Sequence, residues 1–164
     1  LVFLFEQLLE VALRALSPGI NDPITAMRCA DRIADNLSLL ARRALPSPYR
    51  YDAAGALRLI APRLEPEALL PHLFGPLRNY GKEDYTTLRH LLKLLGELGD
   101  LVEDGAFRAA LEAEAERIRE QAEAGLSPTD YARLLPAVER ARGRAPAQPT
   151  LEQTPHDPMR SAQT

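Results

Sequence analysis

"ALSPGINDPITA", residues Ala15 to Ala26, sets two prolines, a glycine and an Asn-Asp pair between two apolar stretches of helical spacing. Read as a corner, it folds one helix back on the next and points to a helical bundle. Gly19 is expected to supply a backbone conformation that other residues avoid, Asp22 to cap the amides of the second helix, and Pro23 to fill its first position. A helix N-terminus is also an anion site, so Ser17, Gly19, Asn21 and Asp22 are the candidate ligand-binding residues. Asp22 would compete with an anion for the same amides, which weights the corner toward structure.

Upstream, Leu1 to Leu16 reads as a helix buried around most of its circumference, with Glu6, Glu10 and Arg14 as one narrow polar stripe. Those charges interrupt it too often for a membrane span, which needs ~20 largely apolar residues. It has neither the basic start nor the cleavage site of a signal peptide. Pro23 to Ala44 is the clearest amphipathic helix, with Ile24, Met27, Ala30, Ile33, Ala34, Leu37, Leu40, Ala41 and Ala44 at three- and four-residue steps. Cys29 lies within this helical pattern and reads as a small buried hydrophobe. Leu45 to Pro48 ends the helix, because proline lacks the amide and restricts its predecessor.

Tyr49 to Tyr51 and Ala56 to Ala61 flank the turn-like Asp52-Ala53-Ala54-Gly55, which predicts a small hairpin. A lone hairpin is unstable in water and needs helices or other strands to lie against. Glu65 to Tyr80 has helical spacing, but Pro71 and Pro76 each remove an interior hydrogen bond, so a kink or break is expected near Gly75-Pro76. Asp84 to Val102 carries a leucine stripe, weakened by Gly96 and Gly99. Ala106 to Ala124 is a charged helix with Gly125 in the C′ role. Its acidic run, Glu112 to Glu123, reads as a solvated face. Ser127-Pro128-Thr129-Asp130 starts a last helix that Pro136 is expected to kink or end. The expected fold is mainly α: a bundle of about five to six helices with one hairpin after the second. Residues 1–142 form the domain, with the hairpin near 49–61, and 143–164 a disordered Pro-rich tail.

With 164 residues, no Trp and 20 basic residues against 23 acidic, the chain has no overall field to attract a phosphate backbone, and nucleic acid is not an expected partner. His72, His90 and His156 are scattered without ligand spacing, so neither a metal nor another cofactor is expected. No nucleophile turn or phosphate loop occurs, and the chain reads as no enzyme. Arg140 to Arg144, "RARGR", is a small basic cluster that a helix C-terminus explains.

Leu8 to Ile33, "LLEVALRALSPGINDPITAMRCADRI", resembles the signature of a bacterial membrane-protein family known as domain of unknown function 2254. Tyr51 to Gly81, "YDAAGALRLIAPRLEPEALLPHLFGPLRNYG", is similar to the hairpin and helix that follow it there, and the resemblance covers about Leu1 to Leu101. Leu1 to Phe5 and Pro71 to Pro76 depart from the pattern. The family places several hydrophobic helices ahead of this region, and a start at Leu1 rather than Met agrees with that. The resemblance therefore implies the soluble C-terminal part of a membrane protein of the bacterial inner membrane, with this domain in the cytoplasm. The expected function is an assembly or regulatory module without catalysis. Its expected partners are the upstream transmembrane region of the same protein and further copies of itself. The alternative is a ligand-binding or gating domain of a channel or transporter, with the Ser17–Pro23 corner as the site.

Overall fold

The computed structural model describes residues 2–42, 47–61 and 65–143. Among them are six helices, α1 (Val2–Ala15), α2 (Pro23–Ala41), α3 (Pro66–Tyr80), α4 (Tyr85–Leu101), α5 (Gly105–Gly125) and α6 (Pro128–Ala141). One antiparallel hairpin, β1 (Tyr49–Tyr51) with β2 (Leu57–Ile60), follows the second helix, so the fold is mainly α as expected. The 143–164 tail beyond Gly143, Ala44 at the expected end of the second helix, and Leu45 and Pro46 of the Leu45–Pro48 helix stop lie outside the described residues.

α4 is the centre of the bundle, packed by α2, α3, α5 and α6. Leu88, Leu91, Leu92, Leu95 and Leu98 are almost wholly buried, and so is Leu94 on another side of the helix. Each such side chain contributes ~1.5–3 kcal/mol relative to exposure. α1 lies along α2, and the small residues Ala12 and Ala15 of α1 and Ala26 and Ala30 of α2 are buried in the same core. Cys29 is buried in this core as expected, and desolvation pushes its thiol pKa up, away from the reactive thiolate.

The prolines do not break their helices. α3 runs from Pro66 through Pro71 and Pro76 to Tyr80, and α6 runs through Pro136 to Ala141. Proline's local penalty is ~3 kcal/mol or more. On α3 it is offset by burial of Leu69, Leu70, Leu73, Phe74 and Leu77, all of which point inward from one continuous helix. On α6, Leu134 and Val138 flank Pro136 and are fully buried.

Gly125 also differs from expectation. It is the last residue of α5, not the C′ residue beyond it. Its role is close approach: a methyl built there would lie 2.5 Å from the Lys82 carbonyl oxygen. α1 departs further, since among its described side chains only Phe5, Leu9, Ala12 and Ala15 are buried while Phe3, Leu4 and Val11 face outward. The chain buries one stripe of this helix rather than most of its circumference.

Candidate functional site

The corner is held by its own backbone. The Asp22 amide donates to the Ala15 carbonyl at 2.8 Å, and the Asn21 amide to the Ser17 carbonyl at 2.9 Å. Ser17 Oγ–H donates to the Arg14 carbonyl at 2.7 Å, turning that hydroxyl back onto α1. Asp22 faces the other way: its carboxylate accepts from the Thr25 amide at 3.0 Å and from the Thr25 hydroxyl at 2.6 Å. Asp22 is therefore the N-cap of α2 with Pro23 at its start, as the sequence predicts. The Thr25 hydroxyl, then the Thr25 amide, hold the Asp22 carboxyl below the usual aspartate range.

The residue that needs a left-handed backbone is Asn21, at φ 49°, and not Gly19. Gly19 lies outside that region, and a methyl on it would meet open space. Asparagine tolerates this conformation better than most residues because its short side chain bonds locally. The four candidate residues thus share one turn, with Gly19 and Asn21 exposed and the Ser17 and Asp22 oxygens committed to different helices.

Histidines that look scattered in sequence acquire partners in the fold. His90 Nε2 on α4 lies 2.7 Å from Asp31 Oδ1 on α2. His72 Nε2 lies 3.8 Å from Glu6 Oε1, across α3 and α1. The His90–Asp31 pair lines a groove of about 490 Å³ between α2 and α4, with Ser38, Lys93 and Glu97. A His–Asp pair is two-thirds of a nucleophilic triad, but Ser38 donates its hydroxyl to the Asp35 carbonyl at 2.7 Å. No hydrogen bond joins a serine, threonine or cysteine to His90 among the described residues. No group of three or more His, Cys, Asp and Glu side chains is arranged to hold a metal among them either.

Sequence reasoning missed Glu114. It lies inside the acidic run read as solvated, yet it is fully buried on α5. Arg78 Nε on α3 is 3.3 Å from its Oε1, and Arg117 Nη1 is 3.0 Å from its Oε2. The signal was present in the register, because residue 114 falls between Leu111 and Ile118 on the buried stripe. Elsewhere in the run Arg119 ties α5 to α6, binding Glu116 at 2.7 Å, Glu123 at 2.9 Å and the Tyr131 hydroxyl at 2.9 Å, while Glu112 and Glu120 are exposed as expected.

The hairpin is the most exposed element. Asp52 builds its turn, accepting from the amides of Ala54 and Ala56 at 2.9 Å each and from Arg58 Nε at 2.7 Å. Gly55 takes the left-handed position, φ 78°. Tyr49 pairs with Ile60, Arg50 with Leu59 and Tyr51 with Leu57, the register shifting between Arg50 and Tyr51. Every strand residue is exposed, Tyr51 and Ile60 at 62% each. Phe3 at 66% and Leu4 at 62% on α1 are uncovered as well.

Architecture and surface together define a helical bundle that carries a bare apolar hairpin and one bare apolar helix flank. The chain belongs to the family described as predicted membrane protein (DUF2254), which matches residues 1–97. It is 33% identical over 140 residues to the uncharacterized protein Mb1321c of Mycobacterium bovis. The same identity over the same length holds for the uncharacterized protein Rv1290c of Mycobacterium tuberculosis. Each match covers 85% of this chain but only 27% of the relative, so the chain spans about a quarter of the length of these proteins. No solved structure matches it. No helix among the described residues is long and apolar enough to cross a membrane.

Proposed function

We propose that this chain is a water-exposed helical module of a bacterial inner-membrane protein, lying on its cytoplasmic side. It assembles with, or regulates, the membrane part of the same protein and with further copies of itself, without catalysis. The carrying observation is the bare apolar surface, Phe3 and Leu4 on α1 and Tyr49, Tyr51, Leu57 and Ile60 on the hairpin. A two-stranded hairpin is marginal in water by itself, and an apolar patch of this kind is a docking surface. Membership of a membrane-protein family, and relatives with most of their length outside the match, supply something for it to dock on. The corner favours this reading over a reactive site, because its Ser17 and Asp22 oxygens are spent on local bonds.

The test is charge at the face. Leu57→Glu with Ile60→Glu in the whole membrane protein is expected to leave the melting temperature of the helical module unchanged. It is also expected to reduce the assembled mass measured by light scattering in detergent. An unchanged mass, or a hydrolytic or transfer activity that depends on His90, overturns the proposal.

A further inference from the structure

We propose that the groove between α4 and α6 binds a phosphate-bearing anion. Tyr85 meets Arg133 at one end, and Gly96 meets Ala141 at the other, so the two helices run in the same direction and form its walls. The groove encloses about 600 Å³, a size suited to a headgroup or a small phosphorylated molecule. Four cations line it, Arg89 and Lys93 from α4 and Arg133 and Arg140 from α6, against two carboxylates, Glu97 and Asp100.

Two of the cations are occupied. Lys93 Nζ is 3.2 Å from Glu97, and Arg133 is 3.2 Å from Asp130 with its guanidinium 4.8 Å above the Tyr85 ring. Arg89 on the α4 wall and Arg140 on the α6 wall have no ion pair or side-chain hydrogen bond among the described residues, and of the two carboxylates only Asp100 is likewise uncommitted. In a chain of net charge −3, that is a local surplus of positive charge. Arg140 gains from its place in the last turn of α6, but Arg89 is in the body of α4, where no helix end explains it. Two guanidinium forks lining one groove fit phosphate better than carboxylate. A carboxylate must share its two oxygens between two forks, as Glu114 does between Arg78 and Arg117, whereas a phosphate can offer each fork an edge of its own.

A lipid headgroup and a free phosphorylated molecule present the same chemistry, and two probes separate them. Inorganic pyrophosphate is titrated into the chain by calorimetry, and the chain is floated with phosphatidylglycerol vesicles against phosphatidylcholine vesicles. Binding of pyrophosphate is expected if the source is soluble; binding confined to the anionic vesicles is expected if it is a headgroup. In either arm Arg89→Gln with Arg140→Gln is expected to weaken binding at least about tenfold, while Arg32→Gln on α2 leaves it unchanged. Arg89→Lys with Arg140→Lys keeps the charge and is expected to recover only part of the affinity, since the fork is lost. The inference is overturned if neither probe binds, if the glutamine pair binds as the parent does, or if polyglutamate binds more tightly than pyrophosphate.

Discussion

Glu114 Oε1 lies 3.3 Å from Arg78 Nε, an ion pair between α5 and α3 in which the acid is fully buried and the base 17% exposed. Removing one partner strands the other charge away from water. Glu114→Ala is therefore expected to destabilise the chain by about 3 kcal/mol in urea unfolding, and Glu114→Met with Arg78→Met to recover most of that loss. A double variant as weak as the single one would show that the pair itself, not the stranded charge, sets the energy.

At the corner, the left-handed residue is Asn21. Asn21→Val is expected to cost about 1–2 kcal/mol, and Asn21→Gly to be neutral or slightly stabilising. Gly19→Ala meets open space and is expected to be tolerated. Thermal melts of the three variants rank the two positions directly.

Asp22 and Asp52 share a pH signature. The Thr25 bonds hold Asp22 below the ordinary aspartate range; the Ala56 amide and then Arg58 do the same for Asp52. A carboxylate with a lowered folded pKa stabilises the fold above its unfolded pKa, about 3.9, and that contribution is lost as pH falls through the lowered value. Melting temperature is expected to be flat from neutral to mildly acidic pH and to drop below about pH 4. Asp22→Asn retains a capping side chain and flattens part of the drop, whereas Asp22→Ala lowers the melting temperature by a few degrees at neutral pH.

Gly125 packs against the Lys82 carbonyl, with no room for a methyl. Gly125→Ala is expected to destabilise by about 1–3 kcal/mol, because a backbone atom rather than a flexible side chain blocks it. Equilibrium unfolding of this one variant checks the close approach.

Most of the architecture was legible in the residues. The corner cap at Asp22, the hairpin turn at Asp52-Gly55 and the Ser127-Pro128 start of α6 all follow from local chemistry that no distant contact alters. Two of the misreadings share one cause, which is that tertiary packing overrode a local rule. Burial along α3 carried the helix through Pro71 and Pro76, and the neighbouring Lys82 backbone, not a turn, fixed a glycine at 125. The α1 flank erred in the other direction, since periodicity reports apolarity but not whether a covering partner is present. The His90–Asp31 pair and the α4–α6 groove were not legible, because residues far apart in sequence meet only once the helices are packed.

The central claim is that the bare surface of α1 and the hairpin is covered in the assembled membrane protein. Cys29 is buried and the chain has no other cysteine, so an introduced thiol can be followed against a quiet background. Maleimide labelling of Phe3→Cys and, separately, Leu57→Cys is the most direct measurement. Both should react quickly in this chain alone and far more slowly in the whole protein in nanodiscs. Equal rates in the two would contradict the account.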